Sequence, residues 1–258
     1  MKVAITGKGG VGKTTVASLL ARIYAAEGKA VLAIDANPDA NLALALGIPQ
    51  QQAEKIVPIA EMKELIEERT GARPGSPAPY FKLNPKVDDI PDRFSASIDG
   101  VRLLKMGSVR GAGAGCMCPE SALLRALMSH LIFRADDVVI MDMDAGMEHI
   151  GRGTAKGMDA FIIVVEPGKR SVQTALGIRG LADDLKMKTY VVGSKTRDDA
   201  DRQFIVDSLP DFEVLGFLNY NPEIIESDRK GVSLYEHVPG AVNDIKKIKE
   251  RLEERLSS

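Results

Sequence analysis

The segment Gly7–Thr15 reads GKGGVGKTT, and it decides the fold class of this chain. It matches the Gly-x-x-x-x-Gly-Lys-Thr pattern of a phosphate-binding loop. The apolar run Lys2–Thr6 precedes it and a helical pattern begins at Lys13, so a strand leads into the loop and a helix follows. Glycines let backbone N–H groups curl around phosphate, and the helix N-terminus adds partial positive charge. A glycine-rich turn before a helix is the alternative, but motif and context together predict a nucleotide site made by Gly9, Gly10, Val11, Gly12, Lys13, Thr14 and Thr15.

The same pattern assigns roles to individual side chains. Lys13 is predicted to bridge the β- and γ-phosphates of ATP, and the Thr14 hydroxyl to ligate Mg²⁺. Asp142 ends the apolar run Val138–Asp142, where phosphate-binding-loop enzymes carry a second acidic residue. We expect Asp142 to hold Mg²⁺ through water; the alternative is a strand-end aspartate that caps a turn.

Short apolar runs alternate with helical patterns along the rest of the chain. The runs are continuous, as expected for strands buried on both faces, and this predicts an α/β fold with a mostly parallel sheet flanked by helices. The predicted strands are Lys2–Thr6, Ala30–Asp35, Val138–Asp142, Ala160–Glu166, Thr189–Gly193 and Val214–Phe217. The predicted helices are Lys13–Glu27, Glu54–Thr70, Pro119–Arg134, Ser171–Leu185, Asp199–Ser208 and Val242–Leu256.

The stretch 71–115 breaks this alternation because it is rich in proline. Apolar alternation near Phe94–Leu104 suggests a short hairpin within it. We interpret 71–115 as an insertion in a single domain of residues 1–258, leading to a Cys-x-Cys segment.

Composition excludes several classes of function. The 258 residues are 45% hydrophobic and 27% charged with a formal net charge of −2, which is typical of a soluble globular protein and favours neither nucleic acid nor an anionic membrane. No apolar run has membrane-spanning length, and the run before Gly7 is too short for a signal peptide. The C-terminal helix has nearly balanced charges and no aromatic anchor. We therefore expect a cytoplasmic protein without a nucleic-acid partner or stable membrane association.

Lys8 points to a narrower family. A lysine directly after the first glycine of the loop is not needed to bind phosphate within one subunit. With the first switch after Asp35 and the segment 142–148 (DMDAGME), the loop resembles the deviant Walker A family of MinD, ParA, arsenite-pump and nitrogenase iron-protein ATPases. The resemblance covers nearly the whole chain. It implies a homodimer that sandwiches two ATP molecules, with Lys8 reaching the partner subunit's nucleotide.

The chain has two cysteines, Cys116 and Cys118, within the segment GAGAGCMCPE at 111–120. Pro119 suits the first turn of a helix, and a helix N-terminus lowers the pKa of a thiol. One pair offers two ligands, whereas thiolate sites for zinc usually take four and nickel can accept four. A two-fold dimer would present two pairs, so we predict a thiophilic metal, such as nickel or zinc, bridging two subunits; the residues alone do not say which metal it is. The alternatives are cysteines buried as small hydrophobic residues or a local redox pair.

Three segments narrow the resemblance further. Cys116–Glu120, Ala145–His149 and Gly151–Lys156 are similar to the CooC-type accessory proteins of carbon monoxide dehydrogenase. This resemblance implies that the metal is nickel and that the chain helps to insert it into carbon monoxide dehydrogenase, its client enzyme. Two other functions stay open: a partition or positioning ATPase acting on DNA or membrane, and an iron–sulfur ATPase like the nitrogenase iron protein, since four thiolates can hold a [4Fe–4S] cluster.

Two departures from the family affect catalysis and base recognition. Many relatives carry aspartate directly before the proline of the first switch, where this chain has Asn37. Because an amide cannot act as a general base, either Asp39 substitutes for it or hydrolysis is slow. Together with the two lysines of the loop, the catalytic candidates are Lys8, Lys13 and Asp39. Relatives often have Asn-Lys after the strand that matches Thr189–Gly193, where this chain has Ser-Lys. The residues predicted to contact the base are Lys195, Asn219 and Pro222.

Overall fold

The computed structural model describes residues 1–38, 40–74, 80–107, 118–134, 138–145 and 157–257. The strands in these ranges form one eight-stranded sheet in the order β3-β4-β2-β5-β1-β6-β7-β8. They are β1 (Lys2–Thr6), β2 (Val31–Asp35), β3 (Ala96–Ile98), β4 (Val101–Lys105), β5 (Val138–Asp142), β6 (Ala160–Val165), β7 (Thr189–Thr196) and β8 (Glu213–Asn219). Only the pair β3–β4 is antiparallel among the paired strands described.

Helices connect the strands. They are α1 (Lys13–Ala26), α2 (Leu42–Ala45), α3 (Gln50–Ala53), α4 (Lys63–Thr70), α5 (Ile90–Phe94), α6 (Pro119–Arg134), α7 (Lys169–Asp184), α8 (Asp199–Ser208), α9 (Pro222–Lys230), α10 (Leu234–His237) and α11 (Pro239–Ser257). No helix in the described ranges is both long enough and apolar enough to span a bilayer.

The sheet is buried on both faces. Successive side chains of a strand point to opposite faces, so Val3 and Ile5 of β1 pack into one apolar cluster and Ala4 packs into the other. Helices α1 and α11 cover the first face, while α4, α6, α7 and α8 contribute to the cluster on the second. This arrangement explains why the strands are continuous apolar runs, and it confirms the predicted fold class.

All six predicted strands are present with small shifts at their ends. The helix predicted at Glu54–Thr70 is wrong in its first half. The chain instead forms a 3₁₀ turn at Ile59–Glu61 and begins α4 at Lys63. Pro58 is extended, with ψ of 141°, and proline has no N–H to donate, so a continuous helix cannot pass through it.

The predicted hairpin near Phe94–Leu104 is formed by β3 and β4. Strand β4 also pairs in parallel with β2, with Val31 opposite Val101 and Asp35 opposite Lys105. This part of the stretch 71–115 therefore belongs to the central sheet. The sequence predicted the hairpin but not its place in the central sheet, because the parallel pairing of β4 with β2 joins segments that are distant in the sequence.

Candidate nucleotide site

The phosphate-binding loop lies at the carboxyl end of β1, between β5 and β6. From β1 the chain crosses to β2 on one side, and β6, β7 and β8 follow on the other, so the loop lies where the strand order reverses. Gly7 packs directly on β6: a Cβ at this position would lie 2.5 Å from the Val164 carbonyl oxygen, and its φ is +142°. Only glycine allows the loop to begin this close to the neighbouring strand.

Helix α1 begins directly behind the loop. Gly12 is its N-cap in the left-handed region, and Val11 is completely buried. The Lys13 side chain is only 8% exposed; its Nζ donates to the Lys8 carbonyl oxygen at 3.3 Å and lies 3.6 Å from Asp144 Oδ1. The ammonium group is therefore held over the loop by acceptors that phosphate oxygens can replace. Asp144 had no role in the sequence prediction, although it follows Asp142 at the same strand end.

Thr14 and Asp142, the two residues predicted to hold magnesium, are in direct contact. The Thr14 hydroxyl donates to Asp142 Oδ2 at 2.6 Å. Asp142 is completely buried, and its Oδ1 has no hydrogen-bond partner among the described residues. Burial raises the pKa of Asp142, against the opposing effects of the hydrogen bonds from Thr14 and Asn37 and the charge of Lys13. A hydroxyl beside a buried carboxylate oxygen without a partner fits Mg²⁺, which prefers oxygen ligands.

Asp35 is a second buried carboxylate, and it lies opposite Asp142 in the β2–β5 register. It accepts hydrogen bonds from the backbone N–H groups of Leu42 at 2.9 Å and Asn37 at 3.2 Å. Burial raises its pKa to about 6; the Leu42 hydrogen bond lowers it, and the charge of Asp142 raises it further. Asp35 therefore fixes both ends of the first switch. Sequence reasoning gave Asp35 no role beyond marking the start of the first switch.

Asn37 is 7% exposed and lines the cavity above the loop. Its Nδ2 lies 3.5 Å from Asp35 Oδ1, and its Oδ1 has no partner among the described residues. The residue that could substitute for it as a base, Asp39, lies outside the described residues. The first switch thus places Asn37 at the cavity wall, with a buried amide oxygen that has no partner among the described residues.

The cavity has a volume of about 820 Å³, within the usual range for small-molecule sites. Its walls come from the phosphate-binding loop, the first switch with α2, and helix α9. The lining residues include Gly9, Gly10, Gly12, Lys13, Thr14, Thr15, Asn37, Asn41, Asp144, Ile225 and Arg229. The predicted phosphate-binding residues therefore meet at one cavity, with Val11 buried beneath them.

A smaller cleft adjoins Gly12 and Thr15 and is lined by residues predicted to contact the base. Lys195 and Asn219 line it, and Lys195 Nζ donates to the Gly10 carbonyl oxygen at 2.5 Å. The amide of Asn219 is already engaged: Oδ1 accepts from Arg202 at 2.8 Å, and Nδ2 donates to Asp244 at 2.9 Å. The Asn219 side chain is therefore fixed within the protein, and its backbone N–H also donates to Asp244 Oδ2 at 3.1 Å.

Helix α9 supplies the apolar wall of this cleft, and sequence reasoning missed it. Tyr220, Ile224 and Ile225 line the cleft. Pro222 is the first residue of the helix and does not line the cleft itself. The missed signal was Asn221, whose side chain accepts the Glu223 N–H at 2.8 Å as an N-cap ahead of a proline at the first helical position.

Lys8 is paired within its own chain. Its Nζ donates to Glu166 Oε1 at 2.8 Å, and Lys195 Nζ lies 3.5 Å from the other oxygen of the same carboxylate. Partial burial raises the pKa of Glu166, but the Lys8 hydrogen bond and the Lys195 charge outweigh it, so the pKa lies below its usual value. Glu166 was predicted only as the last residue of a strand.

Cys118 lies at the start of α6, as predicted. Its carbonyl oxygen accepts the Ala122 N–H at 3.0 Å, and its half-buried thiol donates to the Ser121 hydroxyl oxygen at 3.1 Å. Cys116 and His149 lie outside the described residues. Within the ranges that the structure covers, no three histidine, cysteine or acidic side chains are grouped as metal ligands.

Comparison with known proteins agrees with this geometry. The family model of the CobQ/CobB/MinD/ParA nucleotide binding domain matches residues 2–234. The carbon monoxide dehydrogenase accessory protein CooC of Rhodospirillum rubrum is 47% identical over 93% of this chain and 91% of its own length. An uncharacterized ATP-binding protein of Methanocaldococcus jannaschii is 46% identical, with 90% of each chain covered.

Among solved structures, the MinC:MinD cell division protein complex of Aquifex aeolicus contains a chain that matches with a TM-score of 0.69. The match covers 98% of this chain and 96% of that one at 20% sequence identity. At this identity the similarity shows the fold alone.

Proposed function

The chain belongs to the CobQ/CobB/MinD/ParA family of nucleotide-binding domains, and we propose that it is a magnesium-dependent ATPase that delivers nickel during maturation of carbon monoxide dehydrogenase. The observation that carries this proposal is 47% identity to a carbon monoxide dehydrogenase accessory protein over nearly the full length of both chains. The site geometry supports the ATPase part, and Cys118 at a helix start supports the metal part.

The nucleotide chemistry follows from the side chains around the loop. Lys13 binds the terminal phosphates and stabilises the negative charge that develops on the transferred group. Thr14 and Asp142 hold Mg²⁺, which neutralises phosphate charge when it is bound. The Asn37 amide oxygen orients water but cannot accept its proton, so hydrolysis is slow unless Asp39 serves as the base.

The proposed active form is a homodimer with two ATP molecules at the interface. Lys8 would then leave its own chain's carboxylate and contact the nucleotide of the partner subunit. Slow hydrolysis suits a carrier, because it keeps the ATP-bound dimer closed until the client is met.

The cargo is nickel, with zinc as the alternative ion. Cys116 and Cys118 of one subunit and the same pair of its partner would supply four thiolates. Of these residues, Cys118 lies directly before α6. Thiol ligands stay available for cargo in a reducing compartment, and we therefore propose a cytoplasmic site of action without DNA or stable membrane association.

A reconstitution tests the whole proposal. Nickel-free carbon monoxide dehydrogenase is incubated with the nickel-loaded chain, with and without Mg-ATP, and CO oxidation is measured. We expect activation that needs both the loaded chain and Mg-ATP, and that is lost with Lys13→Ala. Nickel in buffer at the same concentration is the control; equal activation by free nickel would contradict the proposal.

Metal analysis of the same preparation separates the alternatives. One nickel or zinc per dimer supports the carrier function. A brown, anaerobically purified protein with iron and sulfide would indicate the iron–sulfur ATPase instead. A metal-free protein that binds DNA or vesicles in the presence of ATP would indicate a partition or positioning ATPase.

A further inference from the structure

Glu166 joins a lysine of the phosphate-binding loop, Lys8, to a lysine of strand β7, Lys195. One carboxylate oxygen accepts from Lys8 at 2.8 Å, and the other lies 3.5 Å from Lys195. Lys195 in turn donates to the Gly10 carbonyl oxygen. This series of contacts, Lys8–Glu166–Lys195–Gly10, therefore begins and ends in the loop and lies within one subunit.

The position of Glu166 relative to the loop is fixed by the backbone. Its N–H donates to the buried Ser171 hydroxyl at 3.1 Å, which ties the end of β6 to the start of α7. Two residues earlier, the Val164 carbonyl packs against Gly7. Because the contacts at Ser171 and at Gly7 hold the end of β6 in place, the Glu166 carboxylate stays within reach of Lys8 whenever the lysine side chain points toward its own subunit.

We propose that Glu166 is a positioning residue that holds Lys8 in its own subunit and so opposes assembly of the nucleotide-bridged dimer, an inference that rests on the proposed function. In this proposal, Lys8 exchanges Glu166 for the partner subunit's nucleotide. Each dimer must therefore open two of these ion pairs before both lysines can cross the interface.

The ion pair is built to open. The Lys8 and Glu166 side chains are 35% and 25% exposed, so water weakens their attraction. When Lys8 leaves, Lys195 still neutralises Glu166, and no buried charge is left unpaired. Exposed pairs contribute about 0.2–1 kcal/mol, and the middle of that range corresponds to about threefold in an equilibrium constant. Two pairs per dimer then give about a tenfold effect on the dimer dissociation constant.

The test compares Glu166→Gln with wild type, and Asp183→Asn is the matched control. The control removes one carboxylate from the Arg179–Asp183 pair, which has the same 2.8 Å separation and lies on the adjoining helix α7. In nucleotide-free protein, the rate of amine labelling at Lys8 is measured by mass spectrometry. In protein with Mg²⁺ and a non-hydrolysable ATP analogue, the dimer dissociation constant is measured by sedimentation.

We expect Glu166→Gln to label about threefold faster at Lys8 and to dimerise about tenfold more tightly, while Asp183→Asn matches wild type in both. Unchanged labelling, or a dissociation constant equal to or above that of wild type, would overturn the inference. The variant Lys8→Ala distinguishes failure of the inference about Glu166 from failure of the proposed dimer function. If Lys8→Ala dimerises like wild type, the proposed cross-subunit role of Lys8 is wrong, and the inference about Glu166 is wrong with it. If Lys8→Ala abolishes the dimer but Glu166→Gln changes nothing, only the role of Glu166 is wrong.

Discussion

Replacing Asn37 by aspartate restores a carboxylate at the first switch, and we expect it to raise ATP turnover about a hundredfold, since general-base catalysis contributes that much when its geometry is right. The position is favourable because Asn37 lines the cavity and its Oδ1 has no partner among the described residues. ATP affinity should change little. Without nucleotide, however, the new carboxylate should destabilise the protein.

The size of that destabilisation follows from Asp35. At the 3.5 Å between Asn37 Nδ2 and Asp35 Oδ1, two negative charges would repel by about 5 kcal/mol at an effective dielectric constant of about 20. Protonation of Asp35 avoids this repulsion. Its pKa is about 6, so protonation at a pH of about 7 costs about 1.4 kcal/mol. With about 1 kcal/mol for the lost amide hydrogen bond, we expect the free energy of unfolding to fall by at least about 2–3 kcal/mol, because Asp142, which also accepts from Asn37, adds further repulsion.

The assay combines steady-state hydrolysis at saturating Mg-ATP with urea unfolding in the absence of nucleotide. Asn41→Asp is the matched control, because it adds the same charge to the same cavity wall. Asp39→Asn tests the alternative base. If Asn37→Asp is no faster than wild type and Asp39→Asn is unaffected, neither side chain limits the reaction, and this account of the first switch is wrong.

Three further predictions concern other parts of the site. Lys13→Ala should abolish ATP hydrolysis while Mg-ATP is saturating, because the charge that stabilises the transferred phosphoryl group is lost; a wild-type rate would contradict the assignment of the loop. Cys116→Ser and Cys118→Ser should each reduce nickel from one per dimer to none by metal analysis, since serine hydroxyls are hard ligands; one metal per monomer in wild type would rule out the shared site. Asp35 binds its proton more tightly in the folded state, so nucleotide-free protein should lose about 3 kcal/mol of stability as pH rises from about 4 to 6, and Asp35→Asn should lack that loss in urea unfolding.

The sheet could be predicted because its strands carry their own signal. Val138–Met141 and Ala160–Val165 are apolar throughout, and burial on both faces demands this. The phosphate-binding loop was also predictable, because its residues are contiguous in the sequence. Asp142 could be added because the carboxyl ends of parallel strands meet at one edge of a sheet.

Contacts between distant elements could not be read in this way. Lys8 and Glu166 are separated by 158 residues, and Lys195 and Gly10 by 185. These contacts exist because β6 and β7 follow β1 in the strand order, and no local pattern encodes that order. The engaged amide of Asn219 is a further example, since its partners Arg202 and Asp244 come from α8 and α11.

The strand order also couples the two halves of the site. The acidic residues Asp35 and Asp142 lie on one side of the loop, and Glu166 with its lysines lies on the other. Lys13 connects them, because its Nζ donates to the Lys8 carbonyl oxygen while its charge acts on Asp142. When phosphate oxygens accept hydrogen bonds from Lys13 Nζ, the hydrogen bond from Nζ to the Lys8 carbonyl oxygen would be lost. In the proposed dimer, nucleotide binding would therefore remove one contact of the segment that carries Lys8, the residue whose side chain would cross the interface.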